Sequence, residues 1–163
     1  MPGTYVNHQR VQINISGEFF IFLKKKECKV LVSPIDVRLK GKPFRKKKLR
    51  DDEITTVVQP DIIVVCDAEK LKDNRSVDGA PELVVEILSS GNTRTEIKYK
   101  FDLYEENGVL EYWVVYPEYK QIYVYLLNEN EEYGKPVIYE ADENIHSVVL
   151  KGLSIPMEEI FKL

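Results

Sequence analysis

Two short apolar runs constrain the fold of this 163-residue chain more than any other feature. Residues 62–65 read Ile-Ile-Val-Val, and residues 83–88 are apolar except for Glu86. Short continuous runs of this kind are typical of strands that are buried on both faces of a sheet. Such a sheet needs helices to cover it, so the two runs favour an α/β or α+β fold.

The first half of the chain contains one predicted helix and several predicted strands. Apolar residues spaced by three and four over residues 7–26 predict an amphipathic helix. Residues 28–32 and 35–39 predict two short strands, and residues 55–66 read as one longer strand. Residues 67–81 are rich in Asp, Gly and Pro, which is typical of turns.

The second half begins with the clearest helix start in the sequence. Thr93 and Glu96 have the spacing of a capping box, so we expect a helix from there to about Asn107, ended by Gly108. Further elements are expected at residues 111–116, 121–127, 136–140 and 145–150 (strands) and 156–161 (a short helix). This order predicts one domain, residues 1–163, built as a mixed β-sheet flanked by helices.

One carboxylate accompanies each apolar run. Asp61 follows Pro60 and opens the first run, and Glu86 interrupts the second. Burial of an unpaired carboxylate costs several kcal/mol, so each needs a partner. A divalent cation is one such partner, because Mg²⁺ prefers carboxylate oxygens. The alternative places Asp61 at a turn and Glu86 at a strand end, each paired with a nearby base.

A lysine lies on the buried margin of the predicted second helix. At 100° per residue, Ile97, Phe101 and Tyr104 form one apolar stripe, and Lys100 lies at its edge. Lys100 can therefore reach toward the sheet and the two carboxylates. The alternative is a surface pair between Lys100 and Glu96, one turn earlier.

The charge is distributed unevenly. The net charge is −4, but residues 1–50 carry 13 of the 23 Lys and Arg and only three of the 27 acids, so that segment has a charge of +10 and residues 51–163 have a charge of −14. Halves of opposite sign often indicate an anionic partner. Residues 40–50 hold seven bases and read either as a solvated loop or as a phosphate-binding segment. Its candidate nucleic-acid contacts are Lys42, Arg45, Lys46, Lys47 and Lys48.

The cysteines and the hydropathy indicate where the protein works. Cys28 and Cys66 each lie in an apolar run, so we expect two buried free thiols and a reducing, cytoplasmic environment. No apolar run approaches the roughly 18 residues of a membrane helix, and no signal peptide is evident. We therefore expect no membrane partner.

Five segments in a fixed order carry a resemblance to a known family. They are Gln-Pro-Asp-Ile-Ile-Val-Val-Cys-Asp at 59–67, Gly-Ala-Pro-Glu-Leu-Val-Val-Glu-Ile-Leu-Ser at 79–89, Asn-Thr-Arg at 92–94, Lys-Phe-Asp-Leu-Tyr at 100–104 and Gly-Val-Leu-Glu-Tyr-Trp-Val-Val at 108–115. This succession resembles the Uma-two-type restriction endonucleases, a family of the PD-(D/E)XK nuclease superfamily, and residues 8–10 and 33–39 resemble earlier segments of that family. The resemblance covers nearly the whole chain, although we expect most of the family's short N-terminal hairpin to be missing.

The resemblance implies a restriction-endonuclease-like core with extra C-terminal strands and a metal site at one end of the sheet. It assigns Mg²⁺ or Mn²⁺ to Asp61, Glu86 and the backbone carbonyl of Ile87. The parent superfamily places its catalytic lysine two residues after the second acid, where this chain has Leu88. Lys100 matches the position to which that lysine has moved in this family.

Two further residues are candidate accessory groups by the same resemblance. Glu18 is the only acid of the first predicted helix, where such nucleases often add a third carboxylate. His8 matches a recurring histidine, for which we expect a structural hydrogen bond at a helix start.

The expected function is metal-dependent hydrolysis of phosphodiester bonds, with DNA as the substrate. The alternatives are an inactive nuclease-fold module that binds nucleic acid or serves a structural role, and an enzyme acting on a small phosphorylated molecule, for which no glycine-rich phosphate loop is present. The resemblance also predicts a homodimer. Aromatic residues are enriched at interfaces, so its contact surface could be formed by Tyr112, Trp113, Tyr116, Tyr123 and Tyr125; the alternative is an ordinary aromatic core, which is favoured for Trp113.

Overall fold

The computed structural model describes residues 5–40 and 55–162. Within those ranges its helices are α1 (Val6–Leu23), α2 (Arg94–Glu106) and α3 (Met157–Ile160), and a 3₁₀-helix spans Ala68–Leu71. The strands are β1 (Lys29–Val32), β2 (Asp36–Lys40), β3 (Thr55–Val58), β4 (Ile62–Val65), β5 (Ser76–Asp78), β6 (Leu83–Ile87), β7 (Glu111–Tyr116), β8 (Gln121–Leu126), β9 (Val137–Tyr139), β10 (Asn144–His146) and β11 (Ser154–Pro156).

A six-stranded mixed sheet forms the centre of the molecule, as the sequence predicted. Its strand order is β1-β4-β6-β7-β8-β9. The pair β6 and β7 is parallel, because α2 connects them, and the other neighbours are antiparallel. Both apolar runs, β4 and β6, are buried along their whole length. They lie side by side in the interior of the sheet.

Different elements cover the two faces of this sheet. Helix α1 packs on one face through Val11, Ile15 and Phe19, together with the C-terminal segment that contains α3. Helix α2 and the three-stranded sheet β3-β2-β5 cover the other face. The described helices include none that is both long and apolar enough to span a bilayer. The result is a layered fold in which β4 and β6 present one row of side chains to α2.

The prediction of a single strand over residues 55–66 is wrong. Residues 55–58 form β3 in the smaller sheet, and residues 62–65 form β4 in the central sheet. Pro60 stands between them, and a proline cannot donate the ladder hydrogen bond that a continuous central strand requires. The chain therefore changes layers at Pro60, immediately before Asp61.

The prediction of free thiols is also wrong. Cys28 and Cys66 form a disulfide, and the described residues contain no free cysteine. They are 38 residues apart in sequence, but β1 pairs with β4 so that Lys29 lies opposite Val65. The two cysteines are the next pair along this antiparallel ladder. The expectation of a reducing compartment rested on free thiols and loses that support.

A buried carboxylate at the start of β7 fastens the C-terminal segment to the sheet. Glu111 accepts hydrogen bonds from Trp113 Nε1 at 2.8 Å and from the Ser147 hydroxyl at 2.9 Å. The backbone N–H groups of Val148 and Val149 donate to the same carboxylate at 3.0 and 2.9 Å. Four donors satisfy a charge that would otherwise be costly to bury.

The aromatic residues expected at a dimer surface are partly in the core. Trp113 and Tyr112 are buried, and the indole of Trp113 meets the ring of Phe19 edge to face at a centroid distance of 5.2 Å. These two residues are therefore not available to a partner chain. The homodimer itself stays a prediction.

Candidate metal and phosphate site

The two carboxylates of the apolar runs lie opposite each other on neighbouring strands. The register of β4 and β6 pairs Ile62 with Val85. In an antiparallel ladder the preceding residue of one strand faces the following residue of the other, which places Asp61 opposite Glu86. Both side chains point to the face of the sheet that α2 covers. The alternative, in which each carboxylate is paired with a nearby base, also fits in part: Asp61 lies at the bend before β4 beside His8, and Glu86, within β6, contacts Lys100.

Asp61 is held in place at both its side chain and its backbone. Its Oδ2 accepts the N–H of Ile87 at 2.7 Å, and its Oδ1 lies 3.3 Å from His8 Nε2. Its carbonyl accepts hydrogen bonds from Gln12 Nε2 at 2.8 Å and from the N–H of Ser33 at 3.0 Å. Helix α1, which carries both His8 and Gln12, therefore fixes Asp61 at the end of β4.

Glu86 is buried and each of its oxygens has a partner on α2. Tyr104 donates its hydroxyl to Oε1 at 2.5 Å, and Lys100 Nζ lies 2.9 Å from Oε2. Burial raises the pKa of Glu86, the Lys100 charge opposes that rise, and the negative charge of Asp61 adds to it. Two close carboxylates in a site of this kind attract a cation more strongly than either would alone.

The capping box of α2 sets the orientation of the lysine. Thr93 Oγ1 accepts the N–H of Glu96 at 3.1 Å, and the Glu96 carboxylate accepts the N–H of Thr93 at 3.0 Å. Glu96 is thereby engaged at the helix start, and Lys100 pairs with Glu86 instead of forming the surface pair with Glu96. Lys98, on the outer face of the same helix, pairs with Asp102 at 2.7 Å.

His8 connects the first turn of α1 to the site. The hydrogen bond to Asp61 raises the pKa of His8, partial burial lowers it, and the negative charge of Asp61 raises it further. The net effect is a rise, which favours the imidazolium. The structure therefore gives His8 a position beside the carboxylates as well as the hydrogen bond at a helix start that the sequence predicted.

These side chains surround one cavity of about 360 Å³, which we call the carboxylate cavity. It is open to solvent. Its lining consists of Tyr5, His8, Gln59, Asp61, Glu86, Ile87, Leu88, Ser89, Ser90, Gly91, Asn92, Glu96, Ile97, Lys100 and Tyr112. The wall of the cavity thus carries three carboxylates (Asp61, Glu86 and Glu96), one ammonium group and one imidazole.

Five sequence-predicted site residues come together here, and others do not. Asp61, Glu86, Ile87, Lys100 and His8 all line the carboxylate cavity. Glu18 does not, because it lies ten residues beyond His8 on α1, which is about 15 Å along the helix axis. The five basic candidates Lys42, Arg45, Lys46, Lys47 and Lys48 lie outside the described residues.

The donor set suits a hydrated divalent ion. Mg²⁺ is often bound by only one or two carboxylates and keeps several waters or substrate oxygens. Asp61 and Glu86 supply two carboxylates, and each oxygen has one lone-pair site besides the partner already described. Among the described residues no group of three or more His, Cys, Asp or Glu is arranged to hold a metal ion. Ile87 donates its N–H to Asp61, and the binding of an ion by its carbonyl, which the resemblance implies, stays a prediction.

Sequence reasoning missed the role of Tyr104. It identified this residue only as part of the apolar stripe of α2, yet its hydroxyl is bound to Glu86. The signal was present, since Tyr104 lies four residues after Lys100 and residues at this spacing share a helix face. A tyrosine on a buried stripe also needs a partner for its hydroxyl.

Comparisons with known proteins bear on the family and the fold. A family model, Uma2, described as "Putative restriction endonuclease", matches residues 1–158. A solved structure from Anabaena variabilis, described as "a putative nuclease belonging to DUF820", superposes with a TM-score of 0.73 at 15% sequence identity. The match covers 98% of this chain and 83% of that one, and it shows a shared fold. The comparison with curated proteins found no match.

Proposed function

We propose that this chain, which belongs to the Uma2 family of restriction-endonuclease-like proteins, is a metal-dependent endonuclease that hydrolyses phosphodiester bonds of DNA. The observation that carries the proposal is the contact of Lys100 Nζ with Glu86 Oε2 at 2.9 Å, next to the opposing carboxylate of Asp61. Two acids and a lysine in one open cavity form the minimal set for hydrolysis of a phosphodiester without a covalent nucleophile.

Five residues in or beside the carboxylate cavity have a definite task in this proposal. Asp61 and Glu86 hold Mg²⁺ or Mn²⁺, which when bound polarises the scissile phosphate and lowers the pKa of a water. Lys100 places its ammonium group where it can stabilise the charge that develops on the phosphate or orient the attacking water. Tyr104 and His8 hold the two carboxylates in their orientations.

The charge distribution supports a nucleic-acid substrate. The first 50 residues carry a net +10, and residues 40–50 contain seven of those bases. A polyanion that binds to this half gains from the release of its counterions. We infer that residues 40–50, the basic stretch, bind the phosphate backbone and that it is cleaved at the carboxylate cavity.

The resemblance to restriction endonucleases also predicts a homodimer. A light-scattering mass near 19.0 kDa, that of one chain, would contradict it.

Cleavage of plasmid and oligonucleotide DNA by the purified protein tests the proposal. We expect cleavage in Mg²⁺ or Mn²⁺, none in EDTA, and a loss of at least about 100-fold in Asp61→Asn, because Asp61 would hold the ion. Asp102→Asn on the outer face of α2 is the matched control and should cleave like the parent protein. Cleavage that persists in EDTA or in Asp61→Asn would contradict the proposal.

One observation favours the alternative of an inactive nuclease-fold module. All four oxygens of Asp61 and Glu86 are already engaged by protein groups, which would keep the site stable with no ion. The module would bind DNA without cleaving it, and millimolar Mg²⁺ would leave its melting temperature unchanged. An ion that binds only the folded protein raises the melting temperature by mass action, so this measurement separates the two functions.

A further inference from the structure

A second cavity, of about 540 Å³, adjoins the carboxylate cavity, and the two share part of their lining. We call it the tyrosine cavity after Tyr5, Tyr116 and Tyr119, which form much of its wall. The residues that line both cavities include His8, Leu88 and Ile97. A molecule bound at Asp61 and Glu86 can therefore extend into the tyrosine cavity.

The aromatic rings of this cavity are available to a ligand. The exposed fractions of Tyr5 and Tyr119 are 57% and 67%. Tyr5 precedes the first turn of α1, and its hydroxyl accepts a hydrogen bond from the Ser90 hydroxyl at 3.4 Å. Tyr116 packs against Tyr123 at a centroid distance of 4.9 Å, which makes it a fixed part of the wall. Exposed aromatic rings beside a phosphate site are typical of proteins that stack nucleobases.

The charges of the two cavities differ. Lys100 lines the carboxylate cavity, whereas among the described residues no Lys or Arg lines the tyrosine cavity. Apart from the tyrosines, its charged or titratable side chains are Glu118 and His8, and His8 is shared with the carboxylate cavity. With no lysine or arginine among the described residues that line it, this surface offers a phosphate little attraction, while an uncharged flat ring can stack on tyrosine. The two cavities thus match the two chemically different parts of one nucleotide.

We propose that the tyrosine cavity binds an unpaired nucleobase of the same strand whose phosphate lies at Asp61, Glu86 and Lys100. This inference rests on the proposed function of the carboxylate cavity. A base inside a duplex is stacked and paired, so it can enter only from a single strand, a frayed end or a flap, or after flipping. The substrate class is therefore DNA with unpaired nucleotides at the cleavage position. Stacking on tyrosine tolerates every base, so selectivity is for strand structure more than for sequence.

Binding of short single-stranded oligonucleotides that carry 2-aminopurine at successive positions tests this proposal, in EDTA and separately in Ca²⁺. The variants are Tyr5→Leu and Tyr119→Leu, with Tyr119→Phe as the conservative variant. Phe20→Leu is the matched control, because Phe20 is 59% exposed on α1 and lines neither cavity. We expect each tyrosine-to-leucine variant to bind at least about fivefold more weakly and to lose the fluorescence change of the probe. Tyr119→Phe and Phe20→Leu should match the parent protein.

The outcomes separate this inference from the proposed function. If both tyrosine-to-leucine variants bind single strands like the parent, or if the protein cleaves duplex DNA and binds no single strand, the inference is overturned while the proposed function stands. If the tyrosines are needed for binding but Asp61-dependent cleavage is absent, the inference stands and the proposed function fails. If no nucleic acid is bound or cleaved, both are overturned.

Discussion

At the scale of single residues, Glu86 shows how this site accommodates a buried carboxylate. Glu86 is buried, and its partners Lys100 and Tyr104 come from the same face of α2. Removal of one partner of a buried charge costs more than the contact itself contributes, because the charge remains. If the site holds an ion as proposed, substitutions of these partners affect both folding and ion binding, so their controls must separate the two.

Replacement of Tyr104 by Phe removes one hydrogen bond from Glu86. That bond lowers the pKa of Glu86, so its loss lets burial raise this pKa further and weakens the affinity for Mg²⁺. We expect the free energy of unfolding to fall by about 1–3 kcal/mol. The Mg²⁺-induced rise in melting temperature should also become smaller.

Tyr133→Phe is the matched control for this substitution. The buried Tyr133 hydroxyl donates to the carbonyl of Val109 at 2.7 Å, away from the carboxylate cavity. This variant should lose similar stability and keep the Mg²⁺ response. An equal loss of the Mg²⁺ response in both variants would show that Tyr104 has no specific role in positioning Glu86.

His8 gives a pH-dependent signal at the site. Its folded pKa is raised above the usual value of 6.5, chiefly by the hydrogen bond to Asp61. The protonated ring therefore stabilises the fold below pH 6.5, and this contribution is lost as the pH rises through the folded pKa. In metal-free protein we expect the His8 ring protons to titrate in NMR spectra with a midpoint above 6.5, and with a lower midpoint in Asp61→Asn, where the charge of Asp61 and its strong hydrogen bond are lost. An unchanged midpoint in Asp61→Asn would rule out this pair.

At the scale of secondary-structure elements, Glu111 is expected to hold the C-terminal segment on β7. In Glu111→Gln an amide N–H₂ replaces an oxygen that accepts N–H or O–H donors, so at least one donor loses its acceptor. We expect the free energy of unfolding to fall by about 2–3 kcal/mol in urea titrations. Glu129→Gln, at an exposed position, should be neutral. Equal stability of the two variants would contradict the anchoring role.

The elements that could be predicted from sequence are those whose signal is local. The capping box at Thr93, the stop at Gly108 and the hairpin of β7 and β8 follow from short patterns, and the structure contains all of them. Strand β5 is three residues long and lies between turn residues, so no periodicity indicates it. Pro60 indicates a break between β3 and β4, but the segments on both sides of it are apolar and therefore read as one strand.

Candidate site residues could be predicted only where a charged side chain interrupts or borders an apolar pattern. Asp61 and Glu86 stand out because acids are rare in buried runs, and Lys100 because it borders an apolar stripe. The disulfide of Cys28 and Cys66 depends on the pairing of two strands that are distant in sequence, and no local pattern encodes that pairing. The hydrogen bond of the Tyr104 hydroxyl could not be predicted for a similar reason, because its acceptor lies on another element.

At the scale of the whole molecule, the separation of charge predicts how binding depends on salt. If the basic stretch contacts phosphates, each contact releases condensed counterions. Changing Lys46, Lys47 and Lys48 together to Ala should weaken DNA binding at low salt and reduce the slope of log affinity against log salt concentration by about 2–3. Thermal stability and the Mg²⁺ response should be unchanged.

A matched triple variant tests the specificity of that effect. Lys24, Lys25 and Lys26 follow α1 and form a second run of three lysines. Their replacement by Ala removes the same charge, and the salt slope should change less. Equal slopes of log affinity against log salt concentration in the two triple variants would show that the effect depends on net charge alone and not on the position of the lysines.

The most direct test of the central claim compares two lysines of α2 that lie two residues apart. Lys100 contacts Glu86 in the carboxylate cavity, and Lys98 pairs with Asp102 on the outer face. Single-turnover cleavage of DNA in Mg²⁺ is measured for Lys100→Gln and Lys98→Gln, well below both melting temperatures. We predict a rate at least about 100-fold lower in Lys100→Gln and a rate within about twofold of the parent in Lys98→Gln. Equal rates in the two variants would contradict the assignment of this cavity as the catalytic site.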